Sequence, residues 1–176
     1  MTTRYYFSDA ANAARLTAEA NGWVGTPWVH CASEAGPSRA VKGVRGDCVH
    51  SIVKILETVG AIPVMQLPAH HAHPGVADEM SMDVTLAKLL NAQVSAGALA
   101  RIDPAVEPLM IGDLITFRWA SRSHHIALYK GGTNKMFWHA GGSGIGREFV
   151  VSSLAEGHYR RGLCSAYRIL DRGGDA

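Results

Sequence analysis

Apolar positions recur at helical spacing through the first half of the chain and alternate at strand spacing through the second. Ala10, Ala13, Ala14, Leu16 and Ala20 mark a first helix, with Ser8 placed to cap it and Gly22 to close it. Val49, Ile52, Val53, Leu56 and Val59 mark a second, beginning at Cys48 and ending at Gly60. Pro63, Pro68, Pro74 and Gly75 then break any periodicity. Met82, Leu86, Leu89, Leu90 and Val94 share one side of a third helix, capped by Ser81 and stopped by Gly97. Beyond Leu99 the pattern predicts strands at 113–119, 124–130, 135–140, 146–151 and 164–170. Helices first and strands after read as α+β: N-terminal helices packed on a C-terminal antiparallel sheet of about five strands.

Composition narrows the class. A chain of 176 residues suits a single domain over residues 1–176, long enough to bury a proper core. Hydrophobic residues make up 47%, as in folded globular proteins. The net charge of +2 is too small to argue for nucleic acid as a partner. No segment approaches the apolar length of a membrane span. Asp9 and Asn12 interrupt the N-terminus, which is not expected to act as a secretory signal. Three cysteines, an odd count, argue against a disulfide framework.

Cys48 is the residue with the clearest chemical placement. It follows Gly46-Asp47 and opens the second helix, where exposed N–H groups and the helix dipole favour a thiolate. A nucleophile needs a base, and His125 heads the alternating run His125-Ile126-Ala127-Leu128-Tyr129. Gly131-Gly132-Thr133-Asn134 turns the chain, and Lys135-Met136-Phe137-Trp138-His139 runs back as a hairpin. An odd turn puts His125 and His139 on one face of neighbouring strands; an even turn separates them. On one face, His139 can fix the tautomer and orientation of His125. Ala127, on the His125 face, is small enough to admit the Cys48 helix.

Other conspicuous residues have plainer readings. A one-residue slip would exchange His125 for His124. Cys164 reads as packed on its strand, and Cys31 as unreactive near the cleft. His70-His71-Ala72-His73 lacks accompanying cysteines and reads as a solvated loop, so no metal site is assigned. Arg39, Lys42 and Arg45 are ordinary loop charges, although near Cys48 they would attract carboxylates. Gly141-Gly142-Ser143-Gly144-Ile145-Gly146 leads into a strand, not a helix, so it is a turn and not a phosphate loop. Asp113 shapes the turn before its strand.

Five of these segments, in order, carry a resemblance. Gly25-Thr26-Pro27-Trp28, Gly46-Asp47-Cys48, Ile111-Gly112-Asp113-Leu114-Ile115-Thr116-Phe117, His124-His125-Ile126-Ala127-Leu128-Tyr129 and Phe137-Trp138-His139-Ala140 look like successive motifs of the NlpC family of papain-like cell-wall cysteine peptidases. The similarity runs from about Ala14 to Leu170, and the shape also resembles a subgroup associated with phage tails. The resemblance implies a papain-like fold with Cys48 as nucleophile, His125 as base and His139 as the orienting third residue. It implies amide hydrolysis of peptidoglycan stem peptides through a thioester, with no cofactor. A protein made in the cytoplasm without a signal peptide would then reach the wall by a phage tail, a secretion system or another carrier.

The chain departs from that family beside the nucleophile. Relatives that cleave after D-glutamate hold a free L-alanine amine with residues flanking the cysteine and an upstream tyrosine. Here Asp47 keeps the acidic flank, Val49 replaces a serine and Trp28 replaces the tyrosine. These three positions are the candidate substrate contacts, and the pocket is expected to hold a free amine less well. Stem peptides still joined to glycan should therefore be tolerated. Two other readings share the motifs: an amidase or acyltransferase on another substrate, toxin-like or small-molecule, and a catalytically weak tail-tip component in which Val49-His50 crowds the cysteine.

Overall fold

The computed structural model describes residues 4–29, 36–67, 79–119, 122–141 and 147–171. Among these residues four helices and six strands form in the order α1 (Ala10–Asn21), α2 (Cys48–Thr58), α3 (Glu79–Ser95), β1 (Leu99–Ile102), β2 (Leu114–Trp119), β3 (Arg122–Gly131), β4 (Met136–Gly141), β5 (Glu148–Ser153), α4 (Gly157–Gly162) and β6 (Leu163–Ile169). The strands make one antiparallel sheet ordered β1-β6-β2-β3-β4-β5. The architecture is α+β, with one strand more than the pattern predicts: β1 has four residues, too few for alternation to register. Among the described residues no helix is long and apolar enough to cross a membrane.

Local chemistry accounts for the helix ends. Asp9, not Ser8, caps α1, its carboxylate accepting from the Asn12 N–H at 2.9 Å. Ser8 instead closes a 3-10 turn, donating to the Tyr5 carbonyl. Asp47 caps α2 in the same way, accepting from the His50 N–H at 2.8 Å. At the other end Gly60 adopts φ +75°, with Gly60 N–H bonded to Glu57 and Ala61 N–H to Leu56, a Schellman closure. Gly97 closes α3 likewise, through bonds from Gly97 to Val94 and from Ala98 to Gln93. Ser81 falls inside α3, which begins at Glu79, so it does not start that helix.

The sheet carries a separate core on each face. Leu114, Ile126, Leu128, Trp138 and Phe149 face α1 and α2 and pack with Leu16, Cys48, Ile52, Ile55 and Leu56. Ile115, Phe117, Ala127, Phe137 and Ala166 pack on the opposite face, with Tyr159 of α4 against them. Ala127 therefore does not make room for the Cys48 helix. That helix lies over Ile126 and Leu128, and strand alternation sends Ala127 the other way.

Candidate active site

Cys48 is the first residue of α2, and the closeness of its surroundings fixes the motif before it. A Cβ on Gly46 would sit 2.1 Å from the Ser51 hydroxyl of the same helix, so any side chain there requires that hydroxyl to move aside. The segment ahead is tied down on both sides. Trp28 N–H donates to the Arg147 carbonyl at 2.8 Å, and Trp28 bridges to Gly46. The Arg147 guanidinium lies over the Trp28 ring, 5.6 Å from its centre. Trp28 is thus paired with the residue two positions before Cys48, and it is half-buried.

The ladder between β3 and β4 explains how the cysteine reaches the sheet. Tyr129 exchanges hydrogen bonds with Gly112 and Asp113, on the β2 side, so alternation directs Leu128 and Ile126 toward β4. Leu128 pairs with Trp138. One step further, the Ile126 N–H lies close enough to the Cys48 sulfur to favour its ionised form. The thiol consequently sits against the peptide unit that follows His125.

His125 and His139 project from the face opposite α2. Their rings meet edge to face, with His125 Nε2 and His139 Nδ1 2.9 Å apart. The parity that allows this comes from two irregularities. The turn Gly132–Lys135 has four residues, an even number that alone would separate the histidines. A register shift between Tyr129 and Gly131 inserts Lys130 as a bulge, so that an odd number of residues, 130–136, separates the paired Tyr129 and Phe137. The side chain of His124 lies outside the described residues.

His139 is 2% exposed and both its ring nitrogens have neighbours. Nε2 lies 2.9 Å from the Ser152 hydroxyl and 3.4 Å from the Tyr159 hydroxyl. Burial, and secondarily the charge on His158, lowers its pKa to about 4, so His139 is neutral at pH 7. A Cβ on Gly141 would come within 3.1 Å of His139 Nδ1 and 3.3 Å of His125 Cε1, making Gly141 a bare wall beside the two rings.

The electrostatics of Cys48 run against the expectation of a resting thiolate. Its pKa is pushed up to about 12, first by burial and then by the negative charge of Asp47. Backbone N–H groups of Ile126, Val49 and Cys48 pull the other way and lose. A thiol at 6% exposure gains less from three N–H dipoles than it forfeits in hydration.

The remaining expected contacts are distributed unevenly. Asp47 is 3% exposed and engaged in capping α2. Val49 is half-buried and lines an apolar cavity of about 40 Å³ between α2 and α3. His50 does not stand over the thiol: its Nδ1 accepts from the Arg39 N–H at 3.1 Å and its carbonyl from the Ser38 hydroxyl. Cys164 is half-buried with its sulfur 3.2 Å from the Thr116 hydroxyl. Cys31, the histidines at 70, 71 and 73, and residues 142–146 lie outside the described residues. Among the described residues no group of three or more His, Cys, Asp or Glu side chains is arranged to hold a metal ion. A cavity of about 440 Å³ beside Tyr129, Lys135 and Arg160 includes none of Cys48, His125 and His139.

Ser152 and Tyr159 have no counterpart in the sequence reading, and Gly141, read there as the start of a turn, is the last residue of β4. Ser152 lies one residue past the predicted end of its strand, and β5 in fact runs to Ser153. Pairing of His139 with Val150 makes Ser152 the diagonal neighbour of the histidine on the same face. Tyr159 rides on a helix of six residues, too short to show a period.

Solved structures share this arrangement of elements. The chain superposes on a lipoprotein-like NLP/P60 family protein from Staphylococcus aureus subsp. aureus Mu50 with a TM-score of 0.60, at 19% identity, over 98% of this chain and 45% of that one. An NlpC/P60 family protein from Bacillus cereus ATCC 10987 gives 0.57 at 18% identity, over 90% of this chain and 40% of that one. The fold is therefore that of NlpC/P60 proteins, and the chain spans less than half the length of either structure. No family model and no curated protein matches the sequence.

Proposed function

We propose that the protein is a cysteine-dependent amide hydrolase acting on peptidoglycan stem peptides, with Cys48, His125 and His139 as its catalytic residues. The observation that carries this reading is the 2.9 Å contact between His125 Nε2 and His139 Nδ1, on a strand whose next N–H meets the Cys48 thiol. With Nε2 held by His139, His125 presents Nδ1 as its basic atom. The Cys48 proton passes to that atom as sulfur attacks the amide carbonyl. The backbone N–H of Cys48, free of any intrahelical bond at a helix start, donates to the oxyanion. The imidazolium then protonates the leaving amine, and a thioester remains. A water gives its proton to His125 as its oxygen attacks the thioester, the leaving sulfur takes that proton back from the imidazolium, and the acid departs. Because the resting thiol is protonated, proton transfer and attack are coupled steps.

Trp28, Asp47 and Val49 border the nucleophile and are proposed to contact substrate. Arg147 over Trp28 adds a positive charge at the rim, which opposes a free ammonium and supports acceptance of stems whose L-alanine nitrogen is acylated. A phage tail or secretion system is the proposed route to the wall. Digestion of purified sacculi followed by mass spectrometry of the muropeptides should show new amine and carboxyl ends within stem peptides, absent with Cys48→Ala. Burial of Cys48 favours the rival reading, a catalytically weak tail-tip component. Wild-type digests identical to those of Cys48→Ala would replace the first reading with that one.

A further inference from the structure

The contact chain does not stop at His139, and its direction can be worked out from proton positions. For His125 to accept a proton at Nδ1, its single resting proton must sit on Nε2. In the imidazolium form Nε2 carries a proton as well. In both states Nε2–H points at His139 Nδ1, 2.9 Å away, which must therefore accept. A neutral imidazole has one proton, so that of His139 lies on Nε2. Its pKa of about 4 keeps it neutral at pH 7. Nε2–H in turn needs an acceptor, since His139 is 2% exposed and a buried unpaired donor is costly. The Ser152 hydroxyl stands 2.9 Å away; the Tyr159 hydroxyl, at 3.4 Å, is too distant to serve as well.

We propose that Ser152 is a positioning residue whose hydroxyl oxygen accepts from His139 Nε2 and so holds both histidines in the tautomers that leave His125 Nδ1 basic. The proposal rests on the catalytic reading of Cys48, His125 and His139. It adds a fourth group, contributed by β5, that touches neither substrate nor nucleophile. Tyr159 packs its ring on Phe117, Phe137 and His139 and serves as a wall for the pair.

Long-range 1H–15N correlation of the histidine ring nitrogens tests this without any substrate. Wild-type His139 should show a protonated Nε2 and a bare Nδ1. Ser152→Ala should replace that pattern with tautomer averaging and lower kcat about tenfold at unchanged KM. Ser152→Thr, which keeps the hydroxyl, should restore both, and Tyr159→Phe should change neither by more than about twofold. A protonated Nδ1 in wild-type His139 overturns the proposal, as does a Ser152→Ala protein with the wild-type tautomer and kcat. A fixed Nε2–H tautomer that Ser152→Ala disperses, in a protein that digests no wall material, leaves the role of Ser152 standing and removes the wall assignment alone.

Discussion

At Cys48 two influences oppose each other, and their sizes decide the chemistry. The N-terminus of α2 stabilises negative charge by about 0.3–1 kcal/mol for a surface group. Burial at 6% exposure, with Asp47 adjacent, overrides it and carries the pKa to about 12. The neutral thiol is thus the native form, and the thiolate grows in only as pH rises from about 9 toward that value. Iodoacetamide should accordingly modify Cys48 slowly at pH 6 and progressively faster toward pH 9. Asp47→Asn keeps a capping oxygen for the His50 N–H while deleting the charge, so it should speed alkylation several-fold at pH 8 with little loss of stability. Labelling that is fastest in mild acid, or unchanged by Asp47→Asn, would show that burial and Asp47 do not govern the thiol. The roles here were unevenly legible. Gly46-Asp47-Cys48 is contiguous, so cap and helix start can be read directly, but the depth of burial depends on β3 and β4, far along the chain. Ser152 was hidden for the same reason, because its link to His139 is a register and not a spacing.

The β3–β4 hairpin shows what an element adds to its residues. Period-two alternation foretold that His125 and His139 would share a face if the connection were odd. The connection is odd because a four-residue turn is joined to a bulge at Lys130. The two cannot be separated from sequence, since Gly131 and Gly132 suit several turn geometries. Glycine absorbs φ +88° and φ +80° at those positions, but the turn ends on Lys135 at φ +50°. A side chain in that region costs about 1–2 kcal/mol, offset in part because glycine has more freedom to lose on folding. Lys135→Gly should therefore stabilise by about 0.5 kcal/mol and raise Tm by roughly 1–2 °C, without altering kcat. A lower Tm in the thermal melt would mean that the Lys135 side chain contributes more than its backbone strain removes. Helices were easier to read than strands: Gly60 and Gly97 stop α2 and α3 through local bonds, whereas β1 exists only because β6 lies beside it.

Across the whole molecule, the N-terminal segment, the turn before β2 and the last strand are joined at Arg168. Its guanidinium donates from Nε and Nη2 to the two oxygens of Asp113, each at 2.8 Å, and from Nη2 to the Pro108 carbonyl. It also pairs with Glu107 and lies 4.9 Å from the centre of the Tyr5 ring. Asp113 was legible as a turn former, and it does accept from the Met110 N–H. Its partner was not, because 55 positions separate the two and no local pattern links them. Asp113 is 1% exposed, so the pair is buried, and a buried pair is costly to break from one side only. Arg168→Met should destabilise by about 3–5 kcal/mol, read as a lower urea midpoint, since it strands a carboxylate away from water. Arg168→Lys should recover only part, because an ammonium cannot reproduce the two parallel bonds. Adding Asp113→Asn to Arg168→Met should be less damaging than Arg168→Met alone, since the stranded charge is gone while the turn keeps an acceptor for Met110. Loss of less than about 1 kcal/mol in Arg168→Met would mean that the pair adds little net stability, and that the sheet holds its final strand by packing and ladder bonds alone.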